Sequence, residues 1–310
     1  MNLIASFLDI LRCPATGARL VPDGASLATE DKKSRYRVTG DSIPIFAETA
    51  ISREADAQRR HYDSIAATYT ANLNYPHTQE YLAYLDRVLL DASGAGNLGT
   101  VVELCCGRGE GLSLFGGRMR RYVGVDVSER MLGAARGQHN RPDALFVQAD
   151  ATRTPLAGGS ADTVVMLGGV HHVPGRAQLF AEIARILRPG GRFLYREPAS
   201  DFFIWRFLRA IVYRLSPMLN HDTERPLVYA ETVPLLRQAG LTAVQYRTYG
   251  LLGFCLFMNS DVLVVNRLFR FVPGIRGITR AFVKLDDAMV RLPGFARAGL
   301  QVIGIARKEP

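Results

Sequence analysis

The sequence predicts an α/β fold: a mainly parallel sheet covered by helices, preceded by a small β-rich module. Three observations carry this. From Thr100 to about Arg247, short apolar runs alternate with helical patterns, the signature of a parallel sheet with crossover helices. The first of these runs leads through a glycine-containing turn, VVELCCGRGEG (Val101–Gly111), straight into a helical pattern. The composition, 48% hydrophobic and 22% charged over 310 residues, is that of a chain able to bury a core. At this length one main domain with appendages is expected rather than two equal halves.

Residues 1–48 read as the small module, because LRCPATGARLV, SLATED and SRYRVTGDSIPIF are short segments separated by Gly and Asp turns. Residues 49–98 read as a helical cap, with apolar positions at helical spacing in HYDSIAATYTANL and TQEYLAYLDRVLLDA. Residues 99–310 then form the main domain. Its strands are TVVELCC, RYVGVDV, ALFVQA, ADTVVML and GRFLYRE, with helices at EGLSLFGGRM, SERMLGAARGQ and GRAQLFAEIARIL. YAETVPLLRQAG is a further helix ending at Gly240, LTAVQYRTYG a sixth strand and LQVIGIARK a seventh. Two long insertions, 199–229 and 250–298, leave the carboxyl ends of strands. That edge is where open α/β sheets bind ligands, so both are expected to roof the same crevice.

Several classes are excluded. No stretch approaches the roughly 18 apolar residues of a membrane span. The start, MNLIASFLDILRC, lacks the basic cluster of a secretory signal. Cys13, Cys105, Cys106 and Cys255 suit neither a disulfide framework nor a metal site, so a reduced, cytoplasmic protein is expected. The net charge of +9 is concentrated in residues 201–310, which hold 15 basic against 8 acidic residues. Such a surface serves nucleic acid, an anionic membrane face or an acidic substrate, or is merely a solvated basic bias.

The chemistry-bearing residues cluster at strand ends. Gly107 and Gly109 let the backbone approach a ligand closely, and the helix after them supplies free N–H donors. Asp126 ends the second strand, where a carboxylate can accept both hydroxyls of a ribose, and Asp150 ends the third, where it can face an adenine. With these residues in place, ELCCGRG, VGVDVSERML, QADAT, ADTVVMLGGVHHV and LRPGGRFLYREP resemble the class I S-adenosylmethionine-dependent methyltransferases, over about 60–200 and 230–308. The core is similar to that of the ubiquinone/menaquinone-type enzymes. The resemblance implies a Rossmann-like seven-stranded sheet whose last strand is antiparallel, and S-adenosyl-L-methionine as cofactor. It further implies that Glu103, Cys105, Gly107 and Gly109 hold the methionine end, Asp126 with Val127 and Met131 the ribose side, Asp150 with Ala151 the adenine, and that Gly168 follows the fourth strand beside the site. Tyr62 and Tyr69 match the helix that closes over the cofactor in relatives; core aromatics are the alternative. The family pattern has Gly where Cys105 stands, so an altered turn is expected there.

His171 and His172, in GGVHHVPG, fall in the loop that faces the transferred methyl group in this fold. A histidine suits the role of base where the acceptor must lose a proton; packing within the loop is the alternative. Glu197, at the tip of the fifth strand, is a comparable candidate, its alternative a solvated or salt-bridged carboxylate. The amino-terminal module resembles the small zinc-ribbon-like domain of some ribosomal RNA guanine methyltransferases and of a tRNA methyltransferase activator. Only Cys13 remains of the paired cysteines, so no metal is expected, and the module is expected to pack against the lid.

FFIWRFLRAIVYRLSPML and VNRLFRFVPGIRGITRAFVKL mix aromatics, aliphatics and Arg at helical spacing. Helices of this kind line an apolar pocket, lie on an anionic membrane surface or bury one face in the core. The leading expectation is methyl transfer to an apolar or amphiphilic small molecule: a quinone or lipid precursor or a secondary metabolite. The alternatives are an RNA methyltransferase, an enzyme using the cofactor for cyclisation or aminocarboxypropyl transfer, and a cofactor-binding regulatory protein.

Overall fold

The computed structural model describes residues 2–47, 51–52, 55–56, 59–60, 74–205, 207, 225–258 and 264–310. Tyr62, Tyr69 and most of the insertion 199–229 lie outside the described residues.

Seven strands form the main sheet: β4 (Gly99–Leu104), β5 (Met119–Asp126), β6 (Ala144–Gln148), β7 (Ala161–Leu167), β8 (Leu187–Pro198), β9 (Leu241–Tyr249) and β10 (Gln301–Lys308). Their order is β6-β5-β4-β7-β8-β10-β9. β10 runs antiparallel between β8 and β9, while the ladders from β6 across to β8 are all parallel. The inner strands read as continuous apolar runs because helices cover both faces, and Val101, Val102, Val123, Val125 and Val164 are fully buried. Gly304 of β10 lies opposite Tyr195 of β8, and a Cβ there would come within 2.0 Å of the Tyr195 ring. Only glycine lets that ring lie flat across the strand.

The covering helices follow the expected pattern. α2 (Pro76–Ser93) starts with Pro at its first position and ends at Gly94 with φ 71°. α3 (Glu110–Phe115) stops short of the EGLSLFGGRM pattern: Gly116–Arg118 form a 3-10 turn and Met119 already belongs to β5. α4 (Glu129–Gln138) is capped by Ser128, whose hydroxyl accepts from the Met131 amide. α5 (Arg176–Ile186) and α6 (Tyr229–Gln238) complete that layer. Residues Leu187–Gly191 are strand rather than turn, so β8 begins earlier than GRFLYRE.

The insertion after β9 contributes α7 (Leu252–Met258) and α8 (Ile275–Met289), separated by a 3-10 stretch over Val264–Phe271. These pack on α2. Their anchor is Asp286, fully buried, which accepts from the Tyr81 hydroxyl at 2.6 Å and from the amides of Gly253 and Phe254 at 3.1 and 3.2 Å. One carboxylate thereby fastens α2, α7 and α8 together.

The amino-terminal segment holds α1 (Asn2–Ala5) and an antiparallel meander of β1 (Leu20–Asp23), β2 (Ser26–Thr29) and β3 (Arg35–Arg37). Tyr36 of β3 packs on Phe46 with ring centroids 4.6 Å apart, and its hydroxyl meets Cys13 Sγ at 3.0 Å. The expectation that this module packs against the lid is corrected: it covers the β6 edge of the sheet. The Phe46 amide donates to the Gln148 carbonyl, and the Gln148 amide to the Pro44 carbonyl, each at 2.9 Å. An open edge strand leaves backbone donors and acceptors unpaired, and residues 44–46 satisfy them. Phe7, Leu11, Leu27 and Phe46 share one hydrophobic cluster with Val123 and Leu145 of the sheet.

Candidate cofactor and catalytic site

A cleft of about 560 Å³ opens at the carboxyl ends of β4, β5, β6 and β7. Its floor is the turn after β4. Cys105, Gly107 and Gly109 all have positive φ, at 51°, 50° and 79°. The position where the family carries glycine therefore does demand a left-handed residue, and Cys105 occupies it under strain of about 1–2 kcal/mol. Gly109 starts α3 and shapes the turn without lining the cleft. Cys105 lies against Gly169, where an added Cβ would come within 2.7 Å of Cys105 Cβ, 2.9 Å of Met166 Cε and 3.2 Å of Cys105 Sγ. Burial pushes both the Cys105 and Cys106 thiols well above their usual range, and neighbouring carboxylates add to this, which disfavours the thiolate form at both.

Three acids stand at three strand ends. Glu103 is 1% exposed, accepts from the Gly111 amide at 2.8 Å and from the Tyr122 hydroxyl at 2.5 Å, and lines the cleft. Burial raises it to about 8, against the pull of those hydrogen bonds. Asp126 takes the Gly107 amide on one oxygen at 2.8 Å and the Ser128 amide on the other at 2.9 Å, so it ties the glycine turn to α4.

Asp150 departs from expectation. One oxygen accepts from the Thr152 amide and hydroxyl at 2.8 and 2.7 Å, the other from the Ser52 amide and hydroxyl at 3.1 and 2.8 Å. Four bonds fill a carboxylate's acceptor capacity. Asp150 borders the cleft, but in this state its carboxylate fastens Ser52 to the end of β6 rather than offering itself to an adenine. Val127, Met131, Ala151 and Gly168 line the cleft as expected.

The candidate base residues separate. His172 lines the cleft; His171 and Glu197 do not. Glu197, fully buried, accepts from the amides of Gly169 and Val170 at 2.8 and 2.9 Å, from the His171 amide at 3.4 Å and from His171 Nδ1 at 2.8 Å. It is buried and does not line the cleft, and its contact with His171 fits the salt-bridged alternative. Burial raises it to about 7, opposed by those amides and by the histidines. The two imidazoles lie 3.8 Å apart, so the Glu197–His171 contact sets the stage on which His172 meets the cleft.

Sequence reasoning missed Ser52, Asn74, Gln138, Thr152, Val173 and Gln178 on the walls. Thr152, Val173 and Gln138 lie within the segments QADAT, ADTVVMLGGVHHV and SERMLGAARGQ but were not singled out, and Ser52, Asn74 and Gln178 come from segments whose approach depends on tertiary packing. Among the described residues, no group of three or more His, Cys, Asp and Glu is placed to hold a metal ion.

The cleft fits S-adenosylmethionine. Glycine turns at 107 and 168 let backbone approach it, the carboxylates of Glu103 and Asp126 line it at two strand ends, and among the described residues no lysine lines it. The family model described as "Methyltransferase domain" matches residues 102–195. A demethylmenaquinone methyltransferase of Beutenbergia cavernae is 37% identical over 177 residues, 52% of this chain and 73% of that one. A fatty-acid O-methyltransferase of Mycolicibacterium smegmatis is 34% identical over 122 residues, 39% of this chain, and the chain spans only 44% of that relative's length. Among solved structures, the [4+2]-cyclase SpnF superposes with a TM-score of 0.58 at 16% identity, covering 82% of this chain and 96% of that one, which is a likeness of fold. The chain belongs to the class I S-adenosylmethionine-dependent methyltransferases, with S-adenosylmethionine as its cofactor.

Proposed function

We propose that the acceptor is an apolar or amphiphilic small molecule, a lipid or quinone precursor, methylated on oxygen or carbon. The observation that carries this reading is the apolar wall that Leu167 and Val173 form beside His172, while the helical roof of α2, α7 and α8 packs on β4 and β5 with none of its described residues lining the cleft. Tyr81, Phe254 and Phe257 from α2 and α7, with Val283 of α8, form one buried cluster with the residues of β4 and β5. The relatives named as demethylmenaquinone and fatty-acid methyltransferases support the same class.

Bound S-adenosylmethionine supplies an electrophilic methyl group on a sulfonium. Glu103 would hold the ammonium of its methionine end, Asp126 the ribose hydroxyls, and the Ala151 region the adenine. Since the donor is already activated, the chain's contribution is positioning and exclusion of water. His172 takes the proton that an acceptor O–H or C–H loses, while Glu197 and His171 hold its turn. On this reading the chain divides into a module at 1–48 without metal, a cap at 49–98 that includes Tyr62 and Tyr69, and a methyltransferase domain at 99–310 with lid insertions 199–229 and 250–298. The enzyme works in the cytoplasm, against the membrane face where such acceptors reside.

Purified protein incubated with methyl-labelled S-adenosylmethionine and a fractionated host extract should place label in the solvent-extractable fraction. Label in RNA would overturn the reading, as would consumption of the cofactor with the methyl group retained on its sulfur. His172→Ala should then lower turnover about 100-fold or more with little change in cofactor affinity.

A further inference from the structure

α8 carries two apolar faces, and packing uses one. Ile275, Thr279, Val283 and Asp286 are buried toward α2 and α7. A second stripe, Ile278, Ala281, Leu285, Ala288 and Leu292, repeats at alternating intervals of three and four residues, so it too lies along one side of the helix. This stripe faces solvent: Ile278 is 42%, Leu285 45% and Leu292 52% exposed. The approach to the helix continues it, with Leu268 at 61% and Phe271 at 69% exposure. Exposed large apolar groups scattered singly need no explanation, but a contiguous row of them does.

Charge identifies what covers the row. Arg276, Arg280, Lys284 and Arg291 run along the same helix and the turn after it, all exposed, and Arg267 and Arg270 stand beside Leu268 and Phe271. Of the two acids in this stretch, Asp286 is buried, which leaves Asp287, paired with Arg291 at 2.6 Å. Glu80 of α2 sits 3.8 and 3.7 Å from Arg276 and Arg280. The surface is therefore apolar with a cationic border. A second copy meeting it through a two-fold axis would set cation against cation. A bilayer carrying anionic headgroups satisfies both features, taking the apolar row into its interfacial layer and the ammonium and guanidinium groups onto its phosphates. Among the described residues no helix is long and apolar enough to cross a membrane, so the contact is a docking one.

We propose that the outer face of α8, with Leu268 and Phe271, docks this enzyme on an anionic lipid surface. This rests on the reading of an apolar acceptor and deepens it, because Asp286 fastens α8 to the roof. Docking there would set the roof beside the reservoir from which such an acceptor is drawn.

The test is co-sedimentation of the full chain with vesicles of phosphatidylcholine containing phosphatidylglycerol, against phosphatidylcholine alone. Binding should require the anionic lipid and weaken as salt rises. The double variant Ile278→Gln/Leu285→Gln should reduce it about tenfold and Lys284→Gln about fivefold, with thermal unfolding and S-adenosylhomocysteine affinity unchanged. Wild-type binding to neither vesicle, or equal binding by wild type and variants, would overturn the proposal. So would a wild-type dimer that the double variant converts to monomer, since the covering partner would then be a second copy. Failure of the acceptor reading looks different: label transferred to RNA while vesicle binding stays anionic-lipid-dependent and sensitive to the variants.

Discussion

The floor of the cleft and its roof are built on opposite principles. On the floor, carboxylates anchor the backbone: Asp126 takes two amides, Glu197 three amides and an imidazole, and Glu103 an amide and a phenol. The roof has fewer such devices, chiefly the buried Asp286 with Asp287 accepting from the Tyr84 hydroxyl at 3.0 Å, and is otherwise held by aromatic packing among Tyr81, Phe254, Phe257 and Phe282. A floor of directional bonds fixes a cofactor whose atoms never vary. A roof of non-directional contacts can be reshaped for a different acceptor without disturbing the floor. Substitutions on the floor should therefore act on cofactor affinity and fold, and those on the roof on acceptor choice.

The sharpest way to break this comparison is Asp126→Ala. It removes the proposed ribose acceptor and leaves the Gly107 and Ser128 amides without it, so S-adenosylhomocysteine affinity should fall by about 2–3 kcal/mol, roughly 30- to 150-fold. Calorimetry showing unchanged affinity would mean that the floor is not the cofactor site. Glu197→Ala should cost about 3 kcal/mol of stability in denaturant unfolding, since three amides lose their buried acceptor. Glu197→Gln keeps one acceptor oxygen and should recover much of that loss. Glu197→Ala variants as stable as wild type would refute its role in holding the histidine turn.

Next in size is a pH effect at Glu103. Its folded value, about 8, lies above the ordinary 4.5. In the free chain its stabilising contribution is therefore full below about 4.5 and lost as pH rises through about 8. Cofactor binding runs the other way. An ammonium favours the ionised carboxylate, so below pH 8 binding must release a proton, and affinity should drop roughly five- to tenfold from pH 7.5 to 6.5. S-adenosylhomocysteine keeps the ammonium and serves as the probe. Glu103→Gln should flatten the profile; a slope that survives in that variant would assign the titration to another group.

The floor was largely legible in the sequence and the roof was not. Glycines at 107 and 109, acids at strand ends and the seven apolar runs are demanded by backbone geometry and by a parallel sheet, so they leave a periodic and positional trace. The alternation named the strands, and the structure supplied their order. Asp286 and Asp150 show why the rest was hidden. Asp286 reads as one more charge on an amphipathic helix, and only the approach of α2 and α7 turns it into a buried anchor. Asp150 was placed correctly at a strand end, but its partner Ser52 comes from 98 residues away. The module's docking on β6 was likewise invisible, because an uncovered sheet edge becomes apparent only once the strand order is known. Glu197 was singled out for its position, and its burial and its contact with His171 fit the salt-bridged alternative.

The smallest effect probes the floor's one irregularity. Cys105 stands at φ 51° where glycine would be unstrained. Cys105→Gly relieves about 1–2 kcal/mol of backbone strain, yet it raises the entropy of the unfolded chain and removes the side chain packed on Gly169, so its net change in stability should stay within about 1 kcal/mol. Gly169→Ala alone should be costly, because the new Cβ would meet Cys105 Cβ at 2.7 Å and Sγ at 3.2 Å, beside backbone that cannot yield. Combined with Cys105→Gly, the Cys105 contacts vanish and only the flexible end of Met166, whose Cε would lie 2.9 Å away, has to shift, so the alanine should be accommodated better. A double-mutant cycle read by thermal unfolding should then show coupling of about 1–2 kcal/mol between two positions 64 residues apart in sequence. Additive effects would mean that Cys105 does not shape the histidine loop, and that its replacement of glycine is a local matter of the turn alone.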